Sequence, residues 1–209
     1  MAEASPIVLR LVLGSLQTNC YVVICPETRS ALVIDPADDA ADILAAVKGE
    51  AARVEQILLT HYHRDHVAGL PELKAATGAR VLAHGEDAQM VRDSAMFYGL
   101  DPKHNSGLLP DHELKDGDEV SIGNLSSTVI HTPGHTPGGI TLSVGGLLFT
   151  GDTLFNQGMG RVDLPGGNWD RMLASLGRLL ALPEERVVYP GHGPSSTIGR
   201  ERKTNPHYR

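Results

Sequence analysis

A chain of 209 residues, 41% hydrophobic and 21% charged, is long and apolar enough for one substantial core that buries roughly 70% of the unfolded surface. That composition excludes a disordered chain. The formal net charge of −7, with no Lys/Arg cluster, argues against a grip on nucleic-acid backbones or anionic lipid.

No Pro/Ser linker, charge block or low-complexity stretch interrupts residues 1–209, so a single domain is expected. The segment Met1–Pro6 carries no basic region, and the apolar run Ile7–Leu13 is short and broken by Arg10, which does not fit a signal peptide. No segment fits a membrane span. Cys20 and Cys25 fall on one extended segment, about 16 Å apart at 3.3 Å per residue. A disulfide needs less than about 7 Å, so they do not pair, and they point to opposite faces. With no disulfide framework, a cytoplasmic location is expected.

In chain order, short apolar runs with β-branched content predict strands over Ile7–Leu13, Cys20–Ile24, Ala31–Ile34, Gln56–Thr60 and Ala79–Ala83. Between them, Asp38–Lys48 repeats apolar residues at Ala41, Leu44, Ala45 and Val47 before Gly49, and Val67–Ala76 stops at Gly78; both predict helices. A third helix is expected over Glu86–Leu100. Strands then follow at Val120–Ile122, Leu125–Ile130, Gly139–Val144 and Leu147–Thr150, before a helix over Trp169–Leu182 and a strand over Arg186–Tyr189. Alternation in both halves predicts an α/β fold of two sheets with helices outside them. Residues 120–151 contain no Asp, Glu, Lys or Arg, which suggests strands at the centre of the fold. The histidines inside that run therefore need a reason.

Thr60-His61-Tyr62-His63-Arg64-Asp65-His66 follows a predicted strand and precedes a helix. Histidines at i and i+2 of extended chain point the same way, so His61 and His63 could hold one metal at about 2.0–2.1 Å. Asp65 and His66 fall where the chain turns into the helix, so they diverge from that pair and could serve a second ion. A solvated turn capped by Asp65 is the plainer alternative, and three histidines with one aspartate in six residues argue against it. Three further residues, His135, Asp152 and His192, each follow a predicted strand and a glycine. Together the set has five histidines and two aspartates, which suits two divalent ions bridged by a carboxylate.

This pattern resembles the metallo-β-lactamase superfamily, whose signature is His-x-His-x-Asp-His followed by separate His, Asp and His ligands. The resemblance implies an αββα sandwich with the metals at one edge of the paired sheets. It assigns His61, His63 and His135 to one metal, and Asp65, His66 and His192 to the other, with Asp152 bridging; catalysis is expected to depend on Asp65 and Asp152. Zinc is the first choice, and iron and manganese also suit the donor set. Within the superfamily, aspartate in Phe149-Thr-Gly-Asp152 speaks against a typical β-lactamase, and the landmarks Gly151–Phe155, Gly160-Arg161 and Pro190-Gly-His-Gly-Pro194 are similar to short glyoxalase II-like proteins. The long enzymes differ: they carry a basic C-terminal extension and usually a cysteine where this chain has Met159.

The resemblance thus implies hydrolysis of a small-molecule thioester of the hydroxyacylglutathione type by a metal-bridging hydroxide, with Arg161 as a substrate-binding residue. An ion pair with Asp163 is the alternative role for Arg161. A mononuclear-iron persulfide dioxygenase, holding iron through His61, His135 and Asp152, is the rival reading. Its last motif usually reads Pro-Ala-His-Asp where this chain has Pro190-Gly-His-Gly193, which favours the hydrolase. A metal-dependent lactonase is a further option. His131 is expected to support a ligand rather than to be one, His84 to sit near the mouth or in a capped turn, and Trp169 to be a packing anchor. His104, His112 and His207 read as solvated.

Overall fold

In a computed structural model the chain is described over residues 5–88, 90 and 110–208. The first half builds a sheet in the order β1 (Ile7–Leu13), β2 (Thr18–Ile24), β3 (Ser30–Ile34), β4 (Arg53–Leu58), β5 (Arg80–His84) and β6 (His112–Leu114). Its first three strands are antiparallel, and β3 to β6 run parallel. Helices α1 (Ala40–Gly49), α2 (Arg64–Val67) and α3 (Leu70–Thr77) lie among these strands in sequence.

The second sheet has the order β14 (Ser196–Thr197), β13 (Val187–Pro190), β10 (Leu147–Gly151), β9 (Ile140–Val144), β8 (Leu125–His131) and β7 (Glu119–Ile122). A small hairpin, β11 (Leu154–Phe155) with β12 (Gly158–Met159), follows β10, and α4 (Trp169–Leu180) and α5 (Ile198–Thr204) complete the described elements.

Side-chain alternation explains the layers. Along β2 and β3, Cys20, Val22, Ala31 and Val33 join Ile43 of α1 and Leu70 and Leu73 of α3 in one apolar cluster. Their neighbours Tyr21, Val23, Leu32 and Ile34 face Val129, Leu142 and Phe149 of the second sheet. Beyond that sheet, Leu148 and Val188 pack on Met172, Leu176 and Leu179 of α4 and Ile198 of α5. A strand buried on both faces reads as a continuous apolar run, as β2 and β3 do. The result is the expected αββα sandwich of two mixed sheets. The cysteines are free and lie in different clusters, on opposite faces.

Several expectations shift. The strand predicted at Gln56–Thr60 is Arg53–Leu58, and α1 buries Ala40, Ile43 and Val47 while Ala41 and Ala45 face solvent. The uncharged run is not wholly central: β7 is an edge strand, and Ser121, Ser126 and Thr128 stay exposed because hydroxyls take the place of charges on that face. Trp169 is 48% exposed at the start of α4, with its ring edge-on to His207; the helix is anchored instead by its Met172–Leu176–Leu179 face. His112 is exposed but sits in a strand rather than a loop. Of the helix expected at Glu86–Leu100, residues 86–88 and 90 are helical, and the rest, with His104, lies outside the described residues.

The topology sets where ligands can gather. Strand β9 is antiparallel to both β8 and β10, and β13 is parallel to β10, so β8, β10 and β13 run the same way. The loops after them, which carry His135, Asp152 and His192, therefore leave the sheet at one edge. Cross-sheet bonds fix the first sheet to that edge: Ile140 N donates to Thr60 O at 2.9 Å, and Asn19 Nδ2 and Tyr21 Oη donate to Pro190 O at 2.8 and 2.7 Å.

Candidate metal centre

The chain leaves β4, bends at Thr60 and His61, and reaches His63, which immediately precedes α2 with φ −63° and ψ 143°. The His61 and His63 rings lie with centroids 4.9 Å apart, and the His66 ring lies closer still to His61, at 4.1 Å, so the helical turn does not carry it away from the first pair as expected. The structure brings all seven predicted ligand-type residues to one place. His61, His63 and His135 can each offer a nitrogen within 4.8 Å of the others, and Asp65, His66 and His192 form a second such group. Asp152 lies between them: its Oδ1 is 3.4 Å from His66 Nε2, and its Oδ2 is 3.4 Å from His135 Nε2 and 3.6 Å from His192 Nε2. Within the second group, Asp65 Oδ2 is 3.2 Å from His192 Nε2 and 3.5 Å from His66 Nε2.

Two glycines make this approach possible. A Cβ at Gly191 would strike Asp152 Oδ1 and the His66 ring, and one at Gly151, whose φ is +46°, would strike the Thr60 hydroxyl.

Asp35, which sequence reasoning missed, orients one ring from each group. It is buried at the end of β3, and its Oδ1 accepts from Thr60 N at 2.7 Å while its Oδ2 accepts from Thr60 Oγ1 at 2.6 Å and His66 Nδ1 at 2.8 Å. Because the Thr60 hydroxyl donates to Asp35, its oxygen accepts from His61 Nδ1 at 3.0 Å. His135 is oriented similarly, donating from Nδ1 to Arg161 O at 2.7 Å. His61 and His135 are thus fixed in the tautomer that turns a bare Nε2 inward, the form a metal ligand requires, while the bond to Asp35 fixes the orientation of the His66 ring. Thr18 Oγ1 donates to Asp65 at 3.0 Å, and Asn19 holds the His192 loop through Pro190 O and Gly193 O. The one sequence signal for Asp35 is a lone carboxylate closing the apolar strand β3.

Electrostatics follow burial and neighbours. Burial, then repulsion from the other rings, holds His61 well below the usual histidine range and His63 down at about 3. Burial also lowers His135, against the pull of Asp152. Burial opposes the charged form of His66 and His192 as well, but carboxylates outweigh it: Asp152 and Asp35 raise His66 to about 9, and the bond to Asp65 raises His192. Burial would raise Asp65, yet His192 and His66 bring it well below the usual carboxylate range.

His61 Nε2 and Asp152 Oδ1 are buried and have no hydrogen-bond partner among the described residues. A buried polar atom without a partner costs roughly 1–3 kcal/mol, so two of them converging among nitrogen and oxygen donors fit a bound cation. A cleft of about 610 Å³ opens over the group, walled by Leu16, Phe155 and Leu164 and by Arg64 and Arg161.

The lesser expectations resolve as follows. Arg161 lines the cleft, yet its Nε and Nη2 each lie 2.7 Å from an Asp163 oxygen, so the ion-pair role is present as well. His131 stands apart from the seven residues; its Nε2 donates to Pro137 O at 2.9 Å, which supports the His135 loop. His84 stacks on His131 at 4.0 Å and 10°, and its Nδ1 accepts from Glu86 N. Glu86 lies near this pair, but parallel rings aim their lone pairs in separate planes, which suits stacking better than shared ligation.

Comparison with known proteins shows the family and the fold. The sequence pattern of the metallo-beta-lactamase superfamily matches residues 13–192. Hydroxyacylglutathione hydrolase GloC of Haemophilus influenzae is 31% identical, over 92% of this chain and 93% of that protein. Among solved structures, BLEG-1 B3 metallo-beta-lactamase superposes with TM-score 0.88 at 34% identity, covering 97% of this chain and 99% of that one. TTHA1623 in a di-iron-bound form gives 0.83 at 37%, covering 95% and 98%. ETHE1 from Myxococcus xanthus gives 0.82 at 32%, covering 96% and 83%.

Proposed function

This chain belongs to the metallo-beta-lactamase superfamily, and we propose that within it the protein is a two-metal hydrolase acting on a small-molecule thioester of the hydroxyacylglutathione type. The observation that carries the reading is the pair of complete groups, His61/His63/His135 and Asp65/His66/His192, with Asp152 within 3.4 Å of a ring nitrogen in each. In this reading the first group would hold one ion and the second the other, with Asp152 shared between them. Two divalent ions held there would supply an activated water at neutral pH and positive charge toward an attacked carbonyl oxygen. Zinc is our first choice, and the di-iron form of TTHA1623 keeps iron in view. The similarity to GloC supports the thioester substrate.

The chain's own residues do the rest. Histidines with lowered pKa are neutral and ready to ligate, and Asp65, held ionised by His192, supplies negative charge to the second position. Neither free cysteine serves as nucleophile: both are buried in the apolar clusters. The similarity to ETHE1 keeps the mononuclear-iron persulfide dioxygenase as a second reading. The test is a metal-to-protein ratio joined to an oxygen-free assay on a glutathione thioester. About two metals per chain and turnover lost on chelation are expected; no anaerobic turnover at full occupancy would refute the hydrolase.

Arg161 is assigned to binding the thiol portion of the substrate. Arg161→Ala leaves the carbonyl that orients His135 in place, so it should raise KM for a glutathione thioester more than it lowers kcat. The effect should shrink for a thioester lacking the glutathione carboxylates. Equal losses on both substrates, or none, would reduce Arg161 to its ion pair with Asp163.

A further inference from the structure

Asp87 is fully buried on the first turn of helical chain after β5, and sequence reasoning gave it no role. Its Oδ2 accepts from Thr136 Oγ1 at 2.7 Å and its Oδ1 accepts from Gly138 N at 2.6 Å, and the backbone N–H of Tyr62 faces the same carboxylate and favours its charged form. These donors are placed with respect to the ligand-type residues. Tyr62 stands between His61 and His63, Thr136 follows His135, and Gly138 closes the same loop. Gly138 must lack a side chain, since a Cβ there would lie 2.6 Å from Asp87 N and 2.7 Å from its Oδ1.

We propose that Asp87 is a positioning residue that ties together, through one carboxylate, the two chain segments supplying His61, His63 and His135, and so sets the affinity of that metal position. The proposal rests on the two-metal reading above. The second position has supports of its own in Thr18 and Asn19, and Asp35 is shared by both, so the influence of Asp87 is selective. Burial pushes its carboxyl up to about 6, so ionised Asp87 is retained at neutral pH against a desolvation cost, by bonds that an apolar residue could not make. Losing such an outer support typically weakens metal affinity by about 10–100-fold.

The experiment is a zinc titration against a competing chelator in two backgrounds. His192→Ala isolates the first position, and His63→Ala isolates the second. Adding Asp87→Ala should weaken zinc binding about tenfold or more in the His192→Ala protein and less than about threefold in the His63→Ala protein, with Asp87→Asn between wild type and Ala because one acceptor oxygen survives. Thr136→Val, which removes a single hydroxyl donor, should give a smaller loss with the same selectivity and serves if Asp87→Ala does not fold. Equal weakening in both backgrounds would make Asp87 a general stabiliser and overturn the proposal, as would no weakening in either. Failure of the two-metal reading shows separately, as a wild-type protein that does not bind about two zinc ions.

Discussion

Asp152→Ala is expected to lower turnover by more than about a hundredfold and to reduce metal content. The side chain reaches both ligand groups, one oxygen toward His66 and the other toward His135 and His192. Removing it takes one negative charge from between the two positions and deletes the only described group that contacts rings of both with separate oxygens. The surroundings should survive the change. Gly191 N still donates to Gly151 O at 2.8 Å, and Thr153 N to Thr150 O at 3.0 Å, so the turn that carries residue 152 keeps its backbone bonds. Wild-type turnover with two metals bound, measured by elemental analysis beside the kinetic assay, would refute the bridging role.

The ligand-type residues were legible in the sequence because chemistry concentrates there: four of the seven lie within residues 61–66, and the other three follow strand and glycine. Their supports were not. Asp35 reaches Thr60 and His66 across 25 and 31 residues, and Asp87 reaches Thr136 and Gly138 across 49 and 51. A single polar residue in apolar or mixed chain has no period to betray its partner, and such pairings exist only once the sheets have stacked. The layers themselves were legible from strand and helix alternation. Strands β11, β12 and β14 were not, since two residues cannot display alternation, and β6 owes its pairing to β5 rather than to its own sequence. Trp169 misled for a related reason: its size suggested burial, but helix position decides which side chains face the sheet, and the face is set by Met172, Leu176 and Leu179.

His192→Ala separates the two leading readings of the site. The His192 side chain contacts Asp65 and Asp152 and lies in the second group, whereas the dioxygenase reading needs only His61, His135 and Asp152. Its loop is held from the first sheet by backbone and Asn19 bonds: Asn19 N donates to Gly191 O at 2.7 Å, and Asn19 Nδ2 to Gly193 O at 2.9 Å. The substitution therefore removes a ring without releasing the loop, and a fall in metal content reports ligation rather than unfolding. In a two-metal hydrolase, metal should drop from about two to about one per chain and anaerobic thioester hydrolysis should slow more than about tenfold. A mononuclear dioxygenase would behave otherwise: one iron in the wild type, oxygen consumed with glutathione persulfide, negligible hydrolysis, and the iron retained after His192→Ala. That outcome would leave Asp65, His66 and His192 as a polar wall beside the metal, held by Asp35 and Thr18 for the shape of the cleft alone.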